Sequence, residues 1–167
     1  APAQVESVRL DLKNQVLELG GLRIDNPEGF EKKAALTADT IRVEADPKSL
    51  FSREPLVRLI KVEDAAVNAE VNPLRGINLK KLLDSTSRFR QPRFLKSTPG
   101  KRWRIEKGLL EKGVVELNTQ LLEKQTTRKS LDRIELSLMG KNGQGVTANE
   151  AMAEVLQILM EKCGLME

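Results

Sequence analysis

The sequence predicts an α+β fold: a twisted antiparallel β-sheet of meander, groove-like form, with a C-terminal amphipathic helix packed on one face. Three observations predict it. Aliphatic and polar residues alternate through most of the chain, turn-forming Asn26-Pro27-Glu28-Gly29-Phe30 separates two such runs, and apolar spacing changes to three and four residues only after Thr147. The length of 167 residues fits a single domain, 1–167, and a domain of that size buries about 70% of the surface its unfolded chain exposes.

Val8, Leu10 and Leu12 alternate with Ser7, Arg9 and Asp11, which places the aliphatics on one face of a first strand. Lys13-Asn14 forms a tight turn into a second strand, where Leu17 and Leu19 share a face and Glu18 lies opposite. Gly20-Gly21 interrupts that pattern and predicts a bulge or a close backbone approach, with bending before Leu22 and Ile24. Asn26-Pro27 ends the strand, because proline donates no ladder hydrogen bond and keeps its predecessor extended. Gly29 then allows positive φ, and Phe30 folds back as an apolar plug; the five residues read as an architectural turn.

Ile41, Val43 and Ala45 give a third strand that stops at Pro47, and residues 47–52 read as a turn whose Leu50 and Phe51 cover a sheet edge or barrel end. Alternation from Leu56 to Val71 slips phase: Val57 and Leu59 point one way, Ile60 and Val62 the other, then Ala65, Val67, Ala69 and Val71. Each slip predicts a bulge or a strand break. Leu79, Leu82 and Leu83 suit one or two helical turns capped by Asn78. Trp103 and Ile105 resume the strand period, Gly108 and Gly113 flank a turn region, and Val115-Leu117 and Ile134-Leu136-Leu138 complete the meander.

Thr147-Ala148-Asn149-Glu150 is a capping box, in which hydroxyl and carboxylate each accept from the other residue's backbone N–H. Ala148, Ala151, Met152, Val155, Leu156, Leu159 and Cys163 follow at helical spacing, opposite Glu154, Gln157 and Glu161. This predicts an amphipathic helix over about 148–163, ended by Gly164 in a left-handed cap.

Composition narrows the function classes. The chain has no histidine and no tyrosine, which removes the commonest general base, the commonest zinc ligand and every Ser-His-Asp or Cys-His arrangement. Its 24 acidic residues form no recognisable catalytic constellation and read as solvated faces. No catalytic residue, cofactor or metal site is assigned, and the expectation is a protein that is not an enzyme. Cys163 alone permits no internal disulfide and reads as a small core residue on the helix. No run of about 18 apolar residues is present to span a membrane. The chain starts at Ala1-Pro2 without a methionine, the start expected of a processed or truncated product.

The order of these features resembles a short, single-domain member of the AsmA-like family of bacterial cell-envelope proteins. The residues that carry the resemblance are Leu-Gly-Gly-Leu-Arg-Ile-Asp-Asn-Pro-Glu-Gly-Phe at 19–30, Ile-Arg-Val-Glu-Ala-Asp-Pro-Lys-Ser-Leu at 41–50, Asn-Leu-Lys-Lys-Leu at 78–82 and Trp-Arg-Ile-Glu-Lys-Gly at 103–108. The resemblance implies a periplasmic β-rich domain tethered to the inner membrane by an N-terminal anchor absent from this chain. It also implies a part in lipid handling and outer-membrane homeostasis.

Charge is concentrated in one stretch. Between Arg75 and Arg104 lie ten basic residues and one acid, Asp84, for a net of +9, against an overall +4. Pro92, Pro99 and Gly100 punctuate a basic crossover at 84–101, and charge runs of this kind usually face water. Arg88, Arg90, Arg93, Lys96, Lys101 and Arg102, with Phe89 and Phe94 for insertion, are the candidate contacts for anionic lipid or a protein partner. Nucleic acid is the weaker reading, since no recognised binding module surrounds the arginines. The expected function is therefore non-enzymatic: binding lipid, or supporting membrane assembly, through an aliphatic sheet face. The alternative is an accessory subunit of an envelope complex, docking through strand edges and the basic segment.

Overall fold

The computed structural model describes residues 3–85, 102–120, 125–136, 145–162 and 164. The alternating runs form β1 (Ala3–Gln4), β2 (Ser7–Asp11), β3 (Val16–Asp25), β4 (Ala34–Ala45), β5 (Leu56–Asn72), β6 (Gly76–Ile77), β7 (Arg104–Ile105), β8 (Gly108–Thr119) and β9 (Gln125–Leu136). Two helices join them, α1 (Asn78–Ser85) and α2 (Ala148–Lys162). The strands form one open sheet in the order β1-β3-β4-β5-β8-β9, with β2 alongside β1 on β3. The expected α+β class and C-terminal helix are both present, and the sheet is open.

One seam corrects the all-antiparallel meander. β5 pairs with β7 and β8 in parallel, Leu56 opposite Arg104 and Ile60 opposite Gly108, while its pairing to β4 and every other long pairing is antiparallel. After β5 the chain reverses through β6 and α1, then re-enters beside the start of β5, so β8 runs in the same direction. Alternation gives the period of a strand and carries no information on its direction. Gly108 and Gly113 therefore lie within a continuous strand and flank no turn.

The phase slips have an unexpected form. In β3, β5 and β8 one residue each sits at positive φ: Gly21 (66°), Asp64 (53°) and Lys112 (54°). They fall in a row with Asp39 and Asp132, where each ladder skips a pair yet resumes in the same register. On one side of the row the core-facing set is Leu22 and Ile24, Leu36 and Ala38, Ala65 and Val67, Val115, and Leu131; on the other it is Ile41, Val62, Leu110 and Ile134. A left-handed residue uses one step of chain without advancing the alternation. The strands invert together along this row, β4 and β9 without a left-handed residue, so none gains a residue on its neighbour there and the predicted bulge at Gly20-Gly21 is replaced by a shared phase inversion. The first slip of β5 does have its predicted bulge, since the β4–β5 register shifts where Glu44 and Ala45 face Leu59 and Val57. The glycine pair serves close approach instead: a Cβ on Gly21 would meet the Glu6 carboxylate, and Glu6 N–H donates to Gly20 C=O at 3.0 Å.

Both helices cover the same face of the sheet. Leu79 and Leu82 of α1 and Leu156, Leu159 and Met160 of α2 are buried against Ala65, Val67, Ala69 and Val115. A second cluster joins Val57, Ile105 and Val146 to Ala151, Val155 and Ile158. The capping box forms as expected, Glu150 N–H to Thr147 Oγ1 at 3.2 Å and Thr147 N–H to Glu150 Oε2 at 3.1 Å. Gly164 adopts φ 74° and donates to Glu161 C=O at 3.0 Å, as a left-handed cap. Cys163 lies outside the described residues. Pro47–Phe51 is a 3₁₀ helix capped by Asp46, and its Phe51 is 95% exposed, so it does not cover the sheet edge.

Candidate functional site

The apolar face runs further than the helices that cover it. Directly opposed residues share a face, so the row Ile134–Leu110–Val62–Ile41 continues through Leu19 to Val8, and the row Ile60–Val43 continues through Leu17 to Leu10. Ile41, Val62, Val43 and Ile60 pack against the buried clusters. On β2 the cover ends: Val8 is 59% exposed, Leu10 62%, and Leu12, at the first position of the turn, 68%. The aliphatic strip beside the helix-covered core, two strands or about 10 Å across, thus runs from half-buried Leu17 and Leu19 on β3 to exposed Val8 and Leu10 on β2. Alternation in the sequence puts these side chains on one face of a strand; how far two helices reach across that face is a tertiary fact that strand periodicity does not contain.

The opposite face is charged. Lys61 Nζ lies 2.7 Å from Glu63 and 3.4 Å from Glu111. The hydrogen bond from Lys61 holds the Glu63 carboxyl below its ordinary range, and the same bond holds the Lys61 ammonium above its own. A shallow depression on this face is lined by Ser7, Arg9, Glu18, Leu19, Gly20 and Thr40, mostly polar side chains.

A buried polar node fixes the end of the sheet at which α1 sits. Glu70 and Asn78 are both fully buried. The Glu70 carboxylate accepts from Glu31 N–H at 2.9 and 3.0 Å. Asn78 Oδ1 accepts from the backbone N–H groups of Glu70 and Leu79, each at 2.8 Å, while its Nδ2 donates to Asn26 Oδ1 at 2.8 Å and Asn68 C=O at 2.6 Å. Asn78 therefore ties β5 to α1 and to the Asn26 turn, a larger role than the predicted cap. Sequence reasoning missed Glu70, which sits in the polar phase of β5 and gives no local sign of burial. Phe30 is only half-buried, with Lys81 Nζ 5.7 Å from its ring centroid, and so forms part of a cation–π contact in place of the expected apolar plug.

The described part of the basic segment lies at the two ends of β5. Arg75 and Lys81 lie at the α1 end of β5, where Gly76 pairs with Asn72, whereas Arg104 pairs with Leu56 at its start. β5 is 17 residues long, which separates its ends by roughly 50 Å. Of the candidate contacts only Arg102 is described: it pairs with Glu150 at 2.9 Å and donates to Gly145 C=O at 3.1 Å, fastening the chain before β7 to the first turn of α2. Arg88, Phe89, Arg90, Arg93, Phe94, Lys96 and Lys101, and with them most of the crossover, lie outside the described residues.

Among the described residues no group of three or more Cys, Asp or Glu side chains is placed to hold a metal, and no helix is long and apolar enough to cross a membrane. Comparison with protein-family models, with curated proteins and with solved structures finds no match to this chain.

Proposed function

We propose that the protein is a non-enzymatic lipid-binding component of the bacterial envelope that takes acyl chains on the β2–β3 end of its apolar sheet face. The observation that carries this reading is the continuation of the aliphatic face beyond the helices, to Val8, Leu10 and Leu12 at 59–68% exposure. A contiguous apolar strip on an otherwise charged surface marks an interaction site, and each acyl methylene buried there contributes about 0.8 kcal/mol. The resemblance to AsmA-like proteins supports a periplasmic setting and an inner-membrane tether. Displacement of a fluorescent fatty acid tests the reading: the parent protein should bind the probe, and Val8→Ser with Leu10→Ser should weaken binding at least roughly tenfold, the loss of two aliphatic contacts. Equal binding by both would contradict it.

Docking onto an envelope partner is the second reading, because among the described residues the backbone of β2 pairs on one side only, with β3. The far edge strand favours docking less. β9 carries Arg128, Lys129, Asp132, Arg133 and Glu135, charges of the kind that keep an edge from pairing.

A further inference from the structure

Among the described residues β2 pairs only with β3, and three exposed aliphatic side chains and two opposite charges lie within five consecutive residues, Val8-Arg9-Leu10-Asp11-Leu12. We propose that the other edge of β2 pairs with β2 of a second copy of the chain, antiparallel about a two-fold axis at Leu10, and that the dimer completes the lipid site. The register follows from charge and face together. In an antiparallel pair, opposed residues must lie on the same face, so the alignments to weigh centre on Val8, Arg9, Leu10 or Asp11. Centring on Val8 sets Leu10 against Glu6. Centring on Arg9 opposes two arginines and leaves Leu12 without an apolar partner. Centring on Asp11 opposes two carboxylates and sets Arg9 against Lys13.

Centring on Leu10 resolves every position. Leu10 meets the second copy's Leu10, Val8 meets the second copy's Leu12 twice, and Arg9 meets the second copy's Asp11 twice on the polar face. The Asp11 carboxylate already accepts from Asn14 N–H at 3.1 Å and from Asn14 Nδ2 at 2.7 Å, bonds that lower its pKa from the ordinary carboxylate value. It remains anionic and keeps lone pairs for an arginine. All three exposed β2 and turn aliphatics gain apolar neighbours, and no like charges face each other across the axis.

A two-fold axis at a strand pair stands perpendicular to the sheet, so the helices of both copies lie on the same side. Strands β3 and β2 of one copy then continue into β2 and β3 of the other. Four strands, about 19 Å across, form an apolar floor that carries Leu17, Leu19, Val8 and Leu10 twice over, with helix-covered sheet on either side. The open edge of one chain becomes a trough. This part of the inference rests on the lipid-binding reading; the pairing itself does not.

A contact of five residues a side is short beside the roughly 20–30 residues a side of a standard interface. The dimer is therefore concentration-dependent, and acyl chains lying across both copies favour it by mass action. The test is sedimentation velocity with and without oleate, together with mild oxidation of Leu10→Cys in a Cys163→Ser background. Directly opposed residues have Cβ atoms about 4.5–5.5 Å apart, close enough for a small shift to bring them into disulfide range. Leu10→Cys should cross-link copies, Val8→Cys or Leu12→Cys alone should not, and the pair Val8→Cys with Leu12→Cys should. Arg9→Glu should weaken the dimer roughly tenfold at low salt. A chain that stays monomeric with and without oleate, one that pairs only with a different envelope protein, or a dimer in which Leu10→Cys fails to cross-link would each overturn the proposal. A monomer that still takes up the fatty-acid probe overturns the dimer and leaves the lipid reading standing. A cross-linking dimer that takes up no probe supports the pairing and overturns the lipid reading.

Discussion

At the scale of single residues the most demanding position is Asn78. It is fully buried, accepts from two backbone N–H groups and donates to two oxygens. Asn78→Ala strands buried donors and acceptors that water cannot reach, and should cost about 3 kcal/mol of unfolding free energy; urea denaturation would show it as a lower midpoint at unchanged slope. Gly29 is constrained in another way, since its φ is 96° and the Arg75 guanidinium occupies the space a Cβ would need. Gly29→Ala should therefore destabilise by about 1–2 kcal/mol, readable in the same experiment. Legibility differs sharply between these two. The backbone freedom of Gly29 was evident from Asn-Pro-Glu-Gly-Phe, whereas the burial of Asn78 and Glu70 comes from chain segments 39 to 52 residues apart meeting at one point.

On the polar face, Lys61 and Glu63 make a titration prediction. The Glu63 carboxyl is held low, so its contribution to stability is present above the ordinary glutamate value and fades as pH falls through the lowered one. Lys61 has the opposite sign: its contribution is present below the ordinary lysine value and fades as pH rises through its raised one. Both side chains are partly exposed, so the effect on overall stability is small. An NMR titration of the Glu63 carboxyl carbon should give a midpoint below the ordinary range, moving upward in Lys61→Met. An unmoved midpoint would assign the shift to another neighbour.

At the scale of elements, the start of α2 was fully readable. Thr147 and Glu150 are local partners, three residues apart, and their two hydrogen bonds need nothing from elsewhere in the chain. Thr147→Ala should cost about 1 kcal/mol. Glu150→Ala should exceed it, because the same carboxylate also holds Arg102, and thermal melts of the two variants would rank them. The strands were readable in period and less so in partner. Phase slips in β5 were visible as Leu59-Ile60 and Val62-Ala65; the first is the predicted bulge, where the β4–β5 register shifts, while the cause of the second, a row of residues at which several strands invert together, becomes visible only when the strands lie side by side. The parallel seam between β5 and β8 was hidden for the same reason.

At the scale of the whole molecule, an open sheet with helices on one face divides its apolar surface into a covered part and an uncovered part. The covered part is the core, and the uncovered part is the β2–β3 strip. The division has a stability consequence: Val8→Ser and Leu10→Ser remove side chains that are already mostly exposed, so the pair should change stability by less than about 1 kcal/mol, while Leu156→Ala in the covered part should cost about 2–5 kcal/mol. The candidate site was legible in its chemistry, as an aliphatic sheet face, and illegible in its position. The basic segment that drew attention in the sequence is divided between opposite ends of β5 where it is described, with Arg102 committed to holding α2.

The central claim is that the uncovered strip holds acyl chains. Native mass spectrometry of the protein after gentle extraction from membranes tests it most directly, with the Val8→Ser, Leu10→Ser variant alongside. The parent protein should carry adducts of phospholipid or fatty-acid mass that survive dilution, and the variant should lose them while keeping its fold. A parent protein free of lipid, or a variant loaded as fully as the parent, would contradict the claim.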